Sequence, residues 1–135
     1  MSLTDAGAAL SLKKQLEECK WKRRRQKSQA DKLEEAVQKL AEKRREIEEG
    51  LQETASRIDK NVERLPSNCK FRLRYAEAAK ARFLNPGSSE ALEHTRESER
   101  TAKNRLMDAE DAVAALDKKI RQLEAQLQKL SKDSD

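Results

Sequence analysis

Residues 106–130 read LMDAEDAVAALDKKIRQLEAQLQKL, and this stretch decides the fold. Its apolar residues recur at alternating steps of three and four, which places them on one narrow stripe of an α-helix. The spacing extends upstream to Leu92, broken only by Thr95 and Glu99. A narrow stripe that holds over several heptads is typical of a left-handed coiled coil. The stripe consists of Leu92, Thr95, Glu99, Ala102, Leu106, Ala109, Val113, Leu116, Ile120, Leu123, Leu127 and Leu130.

The first half of the chain carries a second stripe with the same spacing. It runs from Ala9 to Ile58, and after Ile58 the pattern shifts by one residue. Two long stripes separated by a short segment predict two long helices that pair through them. The members of this stripe are Ala9, Leu12, Leu16, Cys19, Arg23, Gln26, Ala30, Leu33, Val37, Leu40, Arg44, Ile47, Leu51, Thr54 and Ile58.

The composition is that of long helices rather than of a compact globular domain. Charged residues make up 41% of the chain and aromatic residues 3%, whereas an average domain has about 25% charged residues. Disordered chains share this bias, but they lack the heptad pattern. The net charge is +5, with both signs mixed along most of the sequence, which indicates solvated helix surfaces.

The breaks between the helices are marked by turn and cap residues. Pro66 ends the first helix, and Ser67 is the expected cap of a short second helix. Asn85-Pro86-Gly87 predicts a turn, after which Ser88 or Ser89 caps the last helix. The predicted helices span residues about 5–64, 68–83 and 89–132.

We therefore predict an all-α fold, a single elongated coiled-coil domain over residues 1–135, built as a long antiparallel hairpin with a short helix at its closed end. Pairing that starts directly after the turn sets Leu92 against residues 58–62 and Leu130 near Arg23. Residues up to about Lys22 then overhang without an intramolecular partner. A parallel or antiparallel homodimer is the alternative, because heptads this long also suit pairing between chains.

A basic cluster follows the overhang: residues 20–27 read KWKRRRQK. Trp21 falls outside the apolar stripe, and Trp and Arg are enriched among interface hot spots. The alternative is a solvated helix surface on which Trp21 covers neighbouring side chains. The partner-binding residues that we predict are Leu12, Leu16, Trp21, Lys22, Arg23, Arg24 and Arg25.

The short middle helix offers a second candidate surface. Phe71 and Tyr75 are four residues apart and share a helix face, among several basic residues and the single acid Glu77. Such a face could stack on bases or dock a partner, although we favour aromatic side chains that seal the closed end of the hairpin. This second surface consists of Phe71, Arg72, Arg74, Tyr75 and Arg82.

The acidic residues, the single histidine and the cysteines form no motif that is typical of a catalytic or cofactor-binding site. The acidic clusters lie on predicted solvated faces, and His94 has no second histidine or cysteine nearby. Cys19 and Cys69 are too far apart in sequence to suggest a zinc site or a disulfide framework. We therefore expect no enzyme activity, no cofactor and no metal.

The sequence predicts a cytoplasmic protein that binds other chains. Its longest apolar run, residues 112–116, is too short to cross a bilayer, and its start lacks a signal-peptide pattern; export without a cleaved signal stays open. We expect a coiled-coil interaction module, such as an adaptor, stalk or assembly subunit. One alternative is a basic helical protein that binds nucleic acid or an anionic surface. Another is a small helical secretion-associated protein, either a chaperone or a substrate. In shape and size alone, the outline resembles helical-hairpin stalk or adaptor proteins such as the flagellar and type III export stalk.

Overall fold

The computed structural model describes the backbone of residues 3–84 and 86–133 and the side chains of residues 4–84 and 90–133. This part of the chain contains three helices and no strand: α1 (Leu3–Glu63), α2 (Arg72–Phe83) and α3 (Pro86–Asp133). The long helices α1 and α3 pack against each other as a helical hairpin. The predicted all-α hairpin is thereby confirmed.

The segment between α1 and α2 differs from the prediction. α1 ends before Pro66 as expected, but residues 64–71 form turns rather than the start of a helix. The backbone N–H of Cys69 donates to the carbonyl of Pro66 at 2.9 Å, and that of Arg72 donates to Cys69 at 3.3 Å. The predicted cap at Ser67 is therefore wrong, because α2 begins only at Arg72. Phe71 occupies the N-cap position of α2 and makes no side-chain capping hydrogen bond.

The last helix begins at Pro86, three residues earlier than predicted. Proline is tolerated in the first turn of a helix, where its missing N–H would have no partner anyway. The predicted turn includes Asn85, which lies outside the described residues. The side chains of Ser88 and Ser89, the predicted caps, also lie outside the part of the structure that is described. Pro86 and Gly87 belong to the helical backbone.

The chain divides into two compact units. Unit 1 contains the residues up to Glu35 and those from Lys103 onward, and unit 2 contains Ala36–Ala102. In unit 1 the core consists of side chains from both long helices that the two stripes bring together. Its members are Leu16, Cys19 and Leu123, with Leu12, Leu116, Ile120 and Leu127 packed against them.

The predicted overhang at the start of α1 is wrong. Leu16 and Cys19 pack with Leu123 of α3, and the guanidinium of Arg23 forms an ion pair with Asp117. The prediction placed Arg23 near Leu130, whereas Arg23 faces Asp117. Each part of α3 therefore pairs with a turn of α1 that lies closer to the N-terminus than expected.

In unit 2, α2 lies against the last turns of α1. Nε of Arg72 donates to the carbonyl of Val62 at 3.2 Å, and Nζ of Lys80 lies 4.0 Å from Asp59. Ala79 of α2 and Ile58 of α1 are both buried. α2 therefore covers the turns of α1 that the prediction had assigned to Leu92 of α3.

Two polar interruptions of the stripes, Arg44 and Glu99, meet in unit 2. Glu99 is only 5% exposed, and its carboxylate accepts a hydrogen bond from Nε of Arg44 at 2.7 Å. Glu48 accepts hydrogen bonds from Arg44 at 3.3 Å and from Arg96 at 3.1 Å. Buried Thr95 donates to the carbonyl of its own helix at Ala91, at 2.8 Å. The ion pair between Arg44 and Glu99 therefore depends on this pairing of α1 and α3, whereas the Thr95 bond lies within α3.

Candidate functional site

The exposed side of α1 in unit 1 forms a stripe of its own. Leu10 and Trp21 are 58% and 53% exposed, although both are large apolar side chains. Lys14 and Arg25 follow each of them by one helical turn and are also exposed. Since Leu16 and Cys19 face the core, these four residues lie on the opposite side of the helix. We call Leu10, Lys14, Trp21 and Arg25 the outer stripe.

Trp21 and Arg25 form a pre-arranged pair within the outer stripe. The guanidinium carbon of Arg25 lies 5.5 Å from the centre of the indole ring, a cation–π contact between residues four apart on the helix. At an exposed site such a contact contributes about 0.5–1 kcal/mol. The pair presents an apolar ring and a positive charge together toward solvent.

The positive charge of the basic cluster is not evenly available. Lys22 lies 3.6 Å from Glu18, and Lys27 lies 3.4 Å from Asp31, both as exposed pairs one turn apart. Within the described residues, Arg24 and Arg25 have no acidic partner. The unpaired charge therefore lies at and beside the Trp21 ring.

The structure separates the predicted partner-binding residues into two groups. Trp21, Lys22, Arg24 and Arg25 are exposed, as their position outside the stripe predicts. The other three are engaged by the hairpin: Leu16 is buried in the core, Leu12 packs against it, and Arg23 pairs with Asp117.

Sequence reasoning missed Leu10 and Lys14. The signal was available, because they precede Trp21 by 11 and 7 residues, which are near-multiples of the helical repeat of 3.6 residues. Leu10 lies outside the heptad positions that define the apolar stripe, so the heptad pattern does not reveal it.

The aromatic residues of the middle segment do not seal the hairpin. Phe71, Tyr75 and Phe83 are 63%, 42% and 56% exposed, so this prediction is wrong. The buried face of α2 presents small residues instead, with Ala79 buried and Ala76 half-buried. Phe71 and Tyr75 stand on the neighbouring flank and remain largely exposed to solvent.

Basic residues surround these exposed aromatic rings. Lys70, Arg74 and Arg82 are exposed, and the guanidinium of Arg82 lies 5.4 Å from the ring centre of Phe83. Arg72, the remaining member of the second predicted surface, points back to α1 and bonds the carbonyl of Val62.

A shallow groove of about 500 Å³ opens between α1 and α3 in unit 1. Its walls include Gln26, Gln29 and Leu33 from α1, with Arg105 and Asp108 from α3.

The described residues include no group of three or more His, Cys, Asp or Glu side chains that could hold a metal ion. Among them, no helix combines the length and apolar character that crossing a membrane requires.

Comparison of the chain with protein families, with curated proteins and with solved structures found no match.

Proposed function

We propose that this chain is a helical protein-interaction module without catalytic activity, and that it docks a partner protein along the outer stripe of α1. The observation that carries the proposal is the exposure of Trp21, with Arg25 stacked on its ring, on the side of α1 that α3 does not cover. We expect such a module to act as an adaptor, a stalk or an assembly subunit.

The energetics favour burial of this surface by a partner. Covering an exposed indole ring stabilises a complex by a free energy of about 25 cal/mol for each Å² of apolar surface removed from water. Because Arg25 already contacts the ring, part of the side-chain ordering that binding requires is present in the free protein.

The charge of the outer stripe defines the chemistry of the partner. Lys14, Arg24 and Arg25 border the apolar side chains of Leu10 and Trp21. A complementary surface has an apolar centre and acidic residues at its margin, as on one face of an acidic amphipathic helix. Such a helix would lie along α1 and contact residues one and two turns apart.

The test compares affinity capture from extracts of the source cells by two matched variants. Trp21→Ala with Arg25→Glu removes the outer-stripe pair, and Met107→Ala with Arg121→Glu removes one exposed apolar and one exposed basic side chain of α3 in the same unit. Both variants should keep the helicity of the parent chain, measured by circular dichroism.

A captured protein is then purified and titrated against the chain. We expect the outer-stripe variant to bind at least about tenfold more weakly, while the α3 variant binds as the parent does. Trp21 is the only tryptophan, so its emission should move to shorter wavelength as the partner covers it. Equal affinities for all three chains, or unchanged Trp21 emission at saturation, would contradict the proposal.

A further inference from the structure

The flank of α2 that carries Phe71 and Tyr75 has an unusual combination of exposed rings and unbalanced charge. Phe71, Tyr75, Ala78 and Arg82 follow one another by four, three and four residues, so they form one line along the helix. Arg74 stands beside this line and is exposed. We call Phe71, Tyr75, Ala78, Arg82 and Arg74 the α2 flank.

The charge around the α2 flank has one sign. The segment 70–83 contains five basic residues and the single acid Glu77. Glu77 follows Tyr75 by two residues, so it points to the other side of the helix. Lys80 lies near Asp59 and Arg72 bonds α1, which leaves Lys70, Arg74 and Arg82 as the charges available to a ligand.

We propose that the α2 flank binds single-stranded nucleic acid without sequence preference. Bases stack on the rings of Phe71 and Tyr75, while Arg74 and Arg82 contact the phosphates on either side. Stacking on exposed aromatic rings, combined with a basic surface that follows the backbone, is the general mode of sequence-independent single-strand binding. The small side chain of Ala78 leaves room for the strand between Tyr75 and Arg82.

The distribution of apolar side chains favours a nucleic acid over a membrane. A helix that lies in a membrane interface needs its apolar residues on one face. Leu73 is the most exposed large apolar residue of the segment, at 71%, and it follows Phe71 by two residues. It therefore projects from the opposite side of α2, where it cannot enter a bilayer together with Phe71.

This inference does not depend on the proposed protein-binding function. The outer stripe lies in unit 1 and the α2 flank in unit 2, and they share no residue. Either surface can fail its test without affecting the other.

The test is the fluorescence anisotropy of a 5′-labelled 20-nucleotide oligo(dT), titrated with the full chain over a series of NaCl concentrations. We expect binding that weakens linearly on a log–log plot against salt, as phosphate contacts require. Phe71→Ala and Tyr75→Ala should each weaken binding at least about fivefold. Arg74→Glu with Arg82→Glu should weaken binding further and reduce the salt slope.

Two control variants distinguish the α2 flank from the neighbouring surfaces of the chain. Leu73→Ala removes an exposed apolar residue of the same helix, and Arg24→Glu with Arg25→Glu removes the charge of the other basic surface. Both should retain the parent affinity within about threefold if the α2 flank binds the strand. Circular dichroism of each variant checks that the helices persist.

Several outcomes would overturn the inference. One is the absence of oligo(dT) binding at low salt. Another is loss of binding in the Arg24 and Arg25 variant but not in the Phe71 and Tyr75 variants, which would assign binding to the basic cluster. A third is binding to phosphatidylserine vesicles that Phe71→Ala or Tyr75→Ala abolishes, without oligonucleotide binding, which would assign the α2 flank to a membrane.

Discussion

Arg44 and Glu99 show how single residues select one pairing of the two helices. Both interrupt the apolar stripes, and the hairpin places them against each other, with the Arg44 Nε atom 2.7 Å from the Glu99 carboxylate. The hydrogen bond to Glu99, with a smaller one to Glu48, raises the pKa of the Arg44 guanidinium above its ordinary value. A buried charge that meets its opposite in only one arrangement disfavours the others.

We predict that Arg44→Leu and Glu99→Leu each destabilise the hairpin more than the double substitution does. A single substitution breaks the Arg44–Glu99 ion pair but keeps the desolvation of the charge that remains, whereas the double substitution extends the apolar stripe. Urea unfolding followed by circular dichroism measures the three variants as a double-mutant cycle. Additive effects of the two single substitutions would show that the residues are not coupled.

Glu48 makes the folding stability of the hairpin depend on pH in the acidic range. The hydrogen bond from Arg96 lowers the pKa of this carboxyl group; burial opposes the effect, and Arg44 adds to it. Because the folded pKa lies below the unfolded one, the stabilisation is complete above the ordinary glutamate pKa of about 4.3 and is lost as the pH falls through the folded value.

We therefore predict that Glu48→Gln reduces the acid dependence of stability. Urea midpoints of the parent and the variant should differ at about pH 6 and converge as the pH falls through the lowered pKa of folded Glu48, because protonation removes the same charge that the substitution removes. A constant difference between the two chains over this range would exclude a contribution from Glu48 titration.

At the scale of the helices, Gly50 is a weak point in the middle of α1. A Cβ atom added there would meet nothing within 4 Å, and glycine in a helix costs about 0.5–1 kcal/mol relative to alanine. Gly50→Ala should raise the free energy of unfolding by about that amount. Gly7→Ala is the matched control, since its Cβ is equally unhindered but it lies near the start of α1. Equal effects at both positions would mean that the gain is not specific to the helix interior.

The helices themselves were predictable from the sequence, but their register was not. Heptad spacing identifies α1 and α3 because it depends only on residues of one helix. Register depends on where α2 lies, and the bonds from Arg72 to Val62 and from Lys80 to Asp59 are tertiary contacts that no local pattern encodes. The match between Arg44 and Glu99 was the available signal, since both polar breaks were visible in the stripes.

For the candidate sites too, the sequence predicted what the helical repeat alone determines and missed what depends on contacts between helices. Trp21 was identified because its position outside the stripe follows from the helical repeat alone. Leu12 and Leu16 were assigned to a partner because the wrong register left them without α3. The exposure of Phe71 and Tyr75 was missed, because the packing of α2 through Ala79 rather than through its rings depends on how closely α1 approaches.

At the scale of the whole molecule, the question is whether the stripes are satisfied within one chain. A parallel homodimer of α1 would place Arg23 against Arg23 and Arg44 against Arg44, so that like charges would meet in the interface. The hairpin instead pairs each arginine with an acid of α3, Asp117 and Glu99 respectively. The charge pattern therefore disfavours a parallel homodimer of α1.

The most direct test is lysine cross-linking with a short reagent in an equal mixture of ¹⁴N- and ¹⁵N-labelled chains, analysed by mass spectrometry. Because Arg23 faces Asp117, Lys22 lies level with Lys118 and Lys119. We predict cross-links from Lys22 to these two lysines, in peptides that carry a single isotope throughout. Links that join ¹⁴N to ¹⁵N peptides would show that the stripes pair between chains, and links from Lys22 to Lys132 in place of Lys118 and Lys119 would show that the register is wrong.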